Sequence, residues 1–344
     1  MSILFIGDYI DHFSATGESL FEHAKKISKK IPNTKFLGLS KVNNETYKFN
    51  NLLVTTIKIK PENKNNFFLR IFWNLLVCSK ISLEIISSRK QFQYLYFCGT
   101  PQFLFYFVVV INFFLKKKLI FRTTDFFPET LLALNNNYII KMLLIITNLL
   151  RKKIYKFSIL GKDQKLYLDD KFFNIKKQLR YEKCFLEIPN IKKKIKSKIF
   201  LYSGTVGFAH DIDTLIKVFY LYNISYKQNY KIWINCTGSQ KGKLIDGLKK
   251  LNIKFKQTHL LNKKLAGKLL AICDIHLILL KKDFSKIVLP SKYFCSVKSK
   301  NKIIFIGPKD SDIYRLGSTN NRFYHIENSN IIGGCNLLKK LINF

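Results

Sequence analysis

The sequence predicts an α/β protein made of two doubly wound, Rossmann-like parallel-sheet domains with a cleft between them. Short apolar runs alternate with helical stretches from one end of the chain to the other, as in parallel strands joined by crossover helices. The alternation occurs twice, on either side of a basic, loop-like stretch from Ile188 to Lys198. The chain's 344 residues also exceed the roughly 250 that one hydrophobic core organises. The domains are expected at residues 1–190 and 191–344.

In the first half, apolar runs bounded by turn residues predict strands at Ile3–Ile6, Lys35–Leu39, Leu53–Lys58, Tyr94–Phe97, Leu119–Arg122 and Phe157–Leu160. Helices are expected near Glu18–Lys30, Phe67–Lys90, Pro101–Leu115 and Tyr138–Lys153. The second half predicts strands at Ile199–Tyr202, Lys231–Cys236, Ile253–Phe255, Ile275–Leu280, Lys302–Ile306 and Phe323–His325. Its helices fit at Asp211–Tyr222, Lys241–Leu251, Lys263–Ile272, Ser291–Lys298, Asp310–Leu316 and Asn330–Ile342.

Lys and Arg number 59 against 22 Asp and Glu, a net charge of +37 that favours polyanionic partners. Only seven of the 59 are Arg, and the chain is crowded with Asn, Ile and Phe, as coding in an AT-rich genome produces. Aromatic residues lie in apolar strands and helices rather than among an Arg-rich face, which argues against a nucleic-acid binder. The seven cysteines form no CxxC pair, so neither a zinc knuckle nor a disulfide framework is indicated, and a reducing cytoplasm is expected. The opening run Met1–Gly7 lacks the basic start and cleavage site of a signal peptide.

The most lipid-like window, Tyr94–Leu115, is broken by Cys98-Gly-Thr-Pro-Gln102 and reads as a strand, a turn and a short helix rather than a span. That helix ends at Lys116-Lys117-Lys118, and the apolar helix Tyr138–Leu150 ends at Arg151-Lys152-Lys153. Apolar helices with basic ends suit contact with an anionic membrane surface.

Open parallel sheets bind ligands beyond the carboxyl ends of their strands. There lies Tyr202-Ser-Gly-Thr-Val-Gly-Phe-Ala-His-Asp211, with Gly204 and Gly207 in a tight turn before a helix opened by Asp211. Val288-Leu-Pro-Ser-Lys292 follows a later strand, with Ser291 expected as an N-cap and Lys292 beside free helix N–H groups. The pair is an anion site in form. Asp211 and Asp213 spell an Asp-x-Asp, but both fall in a first helical turn, where carboxylates complement the dipole, so no metal is expected. Asp8, Asp11, His12 and Glu18 follow the first strand and also point to a site.

Seven segments in order resemble glycosyltransferase family 4, of the GT-B fold, and its branch of colanic-acid-type and other exopolysaccharide sugar transferases. They are Arg122-Thr-Thr-Asp-Phe-Phe-Pro128, Ile159-Leu-Gly-Lys-Asp-Gln-Lys-Leu-Tyr-Leu168, Glu187-Ile-Pro-Asn190, Tyr202 to Asp211, Cys273-Asp-Ile-His-Leu-Ile-Leu-Leu280, Val288 to Lys292, and Phe305-Ile-Gly-Pro-Lys-Asp-Ser-Asp312. The family's Glu-x7-Glu element is not present, because Ser291–Lys300 holds no carboxylate. The resemblance implies a retaining, metal-independent hexosyltransferase that uses a nucleotide sugar as substrate, with no cofactor. It implies a surface-polysaccharide or lipid-linked glycan acceptor at the inner face of the cytoplasmic membrane. His210 and Asp125 are then the expected catalytic residues. Gly17, Ser203, Gly204, Thr205, His210, Gly238, Leu289, Pro290, Ser291 and Lys292 are expected to bind the donor. The alternatives are an epimerase of the same fold or a catalytically inactive nucleotide-sugar or partner-binding protein.

Overall fold

In the computed structural model the chain divides into two compact units, Met1–Tyr181 and Glu182–Phe344. The structure describes residues 1–10, 15–62, 67–172, 174–180, 186–191, 197–226, 228–259 and 261–343. The boundary falls before the 190/191 expected from sequence. Leu186 and Ile188 belong with the second unit, packed against its cluster of Ile199, Leu201, Leu269, Leu270 and Cys273.

The first unit runs β1 (Ile3–Tyr9), α1 (Ala15–Ser28), β2 (Thr34–Ser40), β3 (Glu45–Phe49), β4 (Leu52–Lys58), α2 (Phe67–Ser87), β5 (Tyr94–Cys98) and α3 (Leu104–Leu115). It continues through β6 (Lys118–Thr123), α4 (Glu129–Leu132), α5 (Tyr138–Arg151), β7 (Lys156–Ile159), α6 (Lys162–Asp169) and β8 (Lys176–Leu179). Its sheet has the order β3-β4-β2-β1-β5-β6-β7-β8. Only the β3/β4 pair among the described pairings is antiparallel. β1 lies between β2 and β5, so the strand order reverses there and the unit's crevice opens beyond Tyr9 and Cys98.

The second unit runs β9 (Lys198–Thr205), α7 (Ile212–Ser225), β10 (Tyr230–Thr237), α8 (Lys241–Lys250), β11 (Phe255–Thr258), α9 (Lys263–Ile272) and β12 (Ile275–Leu279). There follow α10 (Lys292–Ser299), β13 (Lys302–Ile306), α11 (Asp312–Gly317), β14 (Phe323–Ile326) and α12 (Ile331–Asn343). The sheet order β11-β10-β9-β12-β13-β14 reverses between β9 and β12. Strands buried on both faces read as continuous apolar runs, which is why Ile275–Leu279 is buried at every position. One face packs on Leu215, Val218, Phe219 and Leu338, the core under α7 and α12.

Two strands and two helices of the first unit were not expected from the sequence. β3 forms a hairpin with β4 through Asn50, whose φ is 52°, and all five of its residues are exposed. β8, Lys-Lys-Gln-Leu, pairs with β7 at the other edge. An exposed edge strand carries no apolar alternation for a reader to find. α4 and α6 span only four and eight residues, too few for a helical period to show. Among the described residues no helix is long and apolar enough to cross a membrane.

Candidate functional site

The crevice of the second unit lies beyond Thr205 of β9 and Leu279 of β12, and most residues expected to bind the donor meet there. Ser203, Gly204 and Thr205 are the last residues of β9, beside Asn235, Cys236 and Thr237 of β10. Gly204 has φ 111°, a conformation that only glycine adopts without strain, and it turns the strand end toward Lys292. A Cβ at Gly204 would stand 3.5 Å from Lys292 Cε. Gly238, at φ 115°, lets the β10–α8 turn close on the β9–α7 loop, where a Cβ would meet the Val206 carbonyl oxygen at 2.3 Å.

Lys292 is the first residue of α10, and Leu289 and Pro290 are buried in the segment that leads into it. Its ammonium donates to Tyr202 Oη at 2.5 Å and to the Thr205 carbonyl at 2.8 Å, and lies 3.4 Å from His210 Nε2. It also stands 3.9 Å from the centroid of the Tyr202 ring. Among the described residues no carboxylate pairs with it. Desolvation lowers the Lys292 pKa to about 7.

Burial, followed by the charge of Lys292, lowers the His210 pKa to about 3, so the imidazole is neutral at physiological pH. Its Nδ1 lies 3.0 Å from the Gly207 N–H and 3.1 Å from the Gly207 carbonyl. With Nδ1 held at Gly207, Nε2 is the ring nitrogen that faces Lys292.

The backbone contributes less than expected. Val206 N–H donates to Thr237 O at 2.7 Å, and Gly207 N–H faces His210. In α10, Tyr293 and Phe294 donate back to Pro290 and Ser291. Ser291 occupies the N-cap position with helical φ and ψ, and its side chain makes no capping bond, contrary to expectation. A helical N-cap turns the hydroxyl away from the N–H groups it would satisfy. Lys292 supplies the formal positive charge at this end of the sheet.

Asp211 caps α7 as expected, its oxygens accepting from Thr214 N, Thr214 Oγ1 and Asn328 Nδ2. Asp213 lies at the surface, 2.8 Å from Lys243 Nζ. The two carboxylates therefore serve separate partners. No group of three or more His, Cys, Asp or Glu side chains suited to a metal occurs among the described residues. Sequence reasoning missed Tyr202, which is wholly buried and reads as an ordinary strand aromatic. It also missed Phe208, which is exposed on the same loop.

In the first unit, Gly17 lies in the first turn of α1 against the end of β1, where a Cβ would meet the Tyr9 carbonyl oxygen at 2.2 Å. Asp11 and His12 lie outside the described residues. Asp125, exposed after β6, shares a small pocket with Gly99, Gln102, Phe127 and Arg151. The segments around it support one another. Gln164 of α6 donates to the Thr124 carbonyl at 2.8 Å and accepts from Leu160 N. Phe126 is buried against Tyr167, their ring centroids 4.7 Å apart. Arg122 donates to Ser19 Oγ at 2.8 Å.

No protein-family model matches the sequence, and no curated protein is a significant match. Solved structures match throughout its length. Sucrose-phosphate synthase from Thermosynechococcus elongatus aligns with a TM-score of 0.69 at 8% identity, covering 100% of this chain and 90% of its own. A UDP-forming α,α-trehalose-phosphate synthase from Burkholderia vietnamiensis gives 0.66 at 6% identity, over 99% and 91%. Anabaena HepE in complex with UDP and glucose gives 0.62 at 9% identity, over 99% and 90%. At such identities the likeness is one of fold, and the fold of this chain is that of the GT-B glycosyltransferases.

Proposed function

We propose that the chain is a glycosyltransferase of family 4 that moves a hexose from a nucleotide-sugar donor to a surface-polysaccharide or lipid-linked glycan at the inner face of the cytoplasmic membrane. It retains the anomeric configuration and needs no divalent metal. The observation that carries this reading is Lys292, an ammonium without a carboxylate partner among the described residues, held at the strand-order reversal by Tyr202, Thr205 and His210.

Breaking the bond between a sugar and a diphosphate leaves negative charge on the departing oxygen. A cation already held in position and partly desolvated stabilises that charge with little reorganisation. Lys292 supplies the cation, and His210 and Tyr202 orient it. A diphosphate also restores full protonation to an amine whose pKa burial has lowered. The UDP in the HepE complex and the UDP-forming name of the trehalose-phosphate synthase support a nucleotide donor. Asp125 in the first unit orients the acceptor. The absence of a carboxylate from Ser291–Lys300 favours a second reading, a nucleotide-sugar epimerase or an inactive binding protein.

Incubating the protein with UDP-, GDP-, dTDP- and ADP-sugars, with and without bacterial membrane lipid and a chelator, tests the proposal. Nucleotide release that requires lipid and survives chelation is expected. Release from no donor supports an inactive protein, and sugar isomerisation without an acceptor supports the epimerase. Activity lost to the chelator and restored by magnesium or manganese rejects metal independence.

A further inference from the structure

Three helices of the first unit turn apolar side chains outward. α2 buries Val77, Cys78, Ile81 and Ile85, while Phe68, Phe72, Leu76 and Leu83 on its opposite side are exposed. A helix apolar all round normally has every side covered, by protein or by lipid. α5 exposes an apolar side as well, while Ile140, Leu143, Leu144 and Leu150 on its inner side are half-buried. The residues it buries are Thr147 and Arg151, and its exposed residues include Ile139, Met142, Ile145, Ile146 and Leu149. The inward polarity is built: Thr147 Oγ1 lies 2.7 Å from Tyr106 Oη, and Arg151 is paired with buried Glu129 and hydrogen-bonded to the Phe127 carbonyl at 3.0 Å. α3 packs against both α2 and α5 and adds Phe113 and Phe114, the latter 85% exposed. The three exposed faces make an apolar patch of the kind that marks an interaction surface.

Cations flank it. Lys80, Arg89 and Lys90 lie on or after α2, Lys116 and Lys117 follow α3, and Lys141, Lys152 and Lys153 belong to α5 or its end. Lys153 Nζ stands 5.8 Å from the Phe113 ring, at the seam of α5 and α3. Within residues 67–90, 104–118 and 138–153 the only exposed carboxylate is Glu84. A second copy of this face would bring the two cationic rims together at an electrostatic cost, whereas an anionic lipid surface matches both the apolar centre and the basic rim.

We propose that the α2/α3/α5 face of the first unit is a membrane-docking surface that lies in the headgroup region of an anionic leaflet. α5 lies along the interface, with its inner side anchored in the protein through Thr147 and Arg151 and its exposed apolar side in the acyl boundary. This deepens the proposed function by naming the surface that meets the membrane, and it rests on that reading only for the whereabouts of the acceptor.

Sedimentation of the full chain with phosphatidylcholine vesicles containing none or 40% phosphatidylglycerol tests the proposal. The expected result is binding that rises with phosphatidylglycerol and falls with salt. Ile139, Ile145, Ile146 and Leu149 are all exposed, so changing the four to Gln should leave the fold intact and lower vesicle binding by about tenfold or more. UDP binding, measured in parallel by calorimetry, should not change, so failure at the membrane and failure at the donor site are read separately. No binding by the wild-type chain, equal binding to neutral vesicles, or unchanged binding by the folded variant would overturn the proposal. Light scattering that shows a wild-type dimer dissociated by the same substitutions, without vesicle binding, would assign the face to a second copy.

Discussion

α5 and α7 are both 14-residue helices on parallel sheets, and both are rich in Ile and Leu. α7 buries Ile212, Leu215, Ile216, Val218, Phe219 and Tyr222 and is capped by Asp211. α5 fully buries only Thr147 and Arg151, half-buries Ile140, Leu143, Leu144 and Leu150, and leaves Ile139, Met142, Ile145, Ile146 and Leu149 exposed. Apolar content therefore does not decide which side of a helix faces the core. In α5 two polar residues share the inner side with Ile140, Leu143, Leu144 and Leu150, because Glu129 and Tyr106 give Arg151 and Thr147 partners that solvent-facing positions would not.

The largest expected effect tests that anchor. Burial pushes the Glu129 carboxyl up, but hydrogen bonding and charge from Arg151, together with the Tyr167 hydroxyl, outweigh it and hold the group below its usual range. Arg151→Met strands the carboxylate and should cost about 3–5 kcal/mol of unfolding free energy by denaturant titration. Pairing it with Glu129→Leu should recover most of that loss. A loss under about 1 kcal/mol in the single variant would mean that α5 is held by something other than its polar side.

In the second unit the corresponding test is Lys292→Ala, which should weaken UDP-glucose binding by about 1.5–3 kcal/mol in calorimetry, roughly 10- to 150-fold. The same lysine sets the pH dependence. With a free-state pKa of about 7, it binds the diphosphate without proton uptake below that pH. Above it the wild-type affinity should fall by up to about tenfold per pH unit until the bound lysine itself titrates. The sign for stability is opposite. The unfolded lysine keeps its proton to about 10.5, so the free protein should gain stability as pH rises above 7. A flat affinity profile between pH 6 and 9 would show that the lysine keeps an ordinary pKa in the free protein, and unchanged UDP-glucose affinity in Lys292→Ala would remove it from the site.

The smallest effect concerns Asn235 on β10, wholly buried, with neither side-chain polar atom hydrogen-bonded among the described residues. Asn235→Val should raise stability by about 1 kcal/mol, since an unsatisfied buried amide is costly and valine suits a strand. A loss of stability would show that the amide is satisfied in solution.

Much of this fold was legible because each central strand is a short apolar run, as in Ile275–Leu279. The edges were not, since β3 and β8 bury too little to leave a pattern. The site was legible where a turn needs glycine and where Pro290-Ser291-Lys292 opens a helix. Tyr202 escaped because a buried strand aromatic looks the same whether or not its hydroxyl holds a lysine. The internal use of the Val206 and Gly207 amides escaped because it depends on β10 and His210 closing on the loop, contacts that no local sequence window contains.

An amine with a pKa of about 7 is half unprotonated at neutral pH, while lysines at the ordinary value of 10.5 are almost wholly charged. Lys292 then has a far larger share of free nucleophile than an amine at that ordinary value. Its packing against Tyr202 and Thr205 slows large reagents more than small ones. A brief pulse of a small acylating agent at pH 7 would therefore modify this position out of proportion to its exposure. A bound diphosphate, by returning the proton, would silence it, so the reactivity of one side chain would report occupancy of the site.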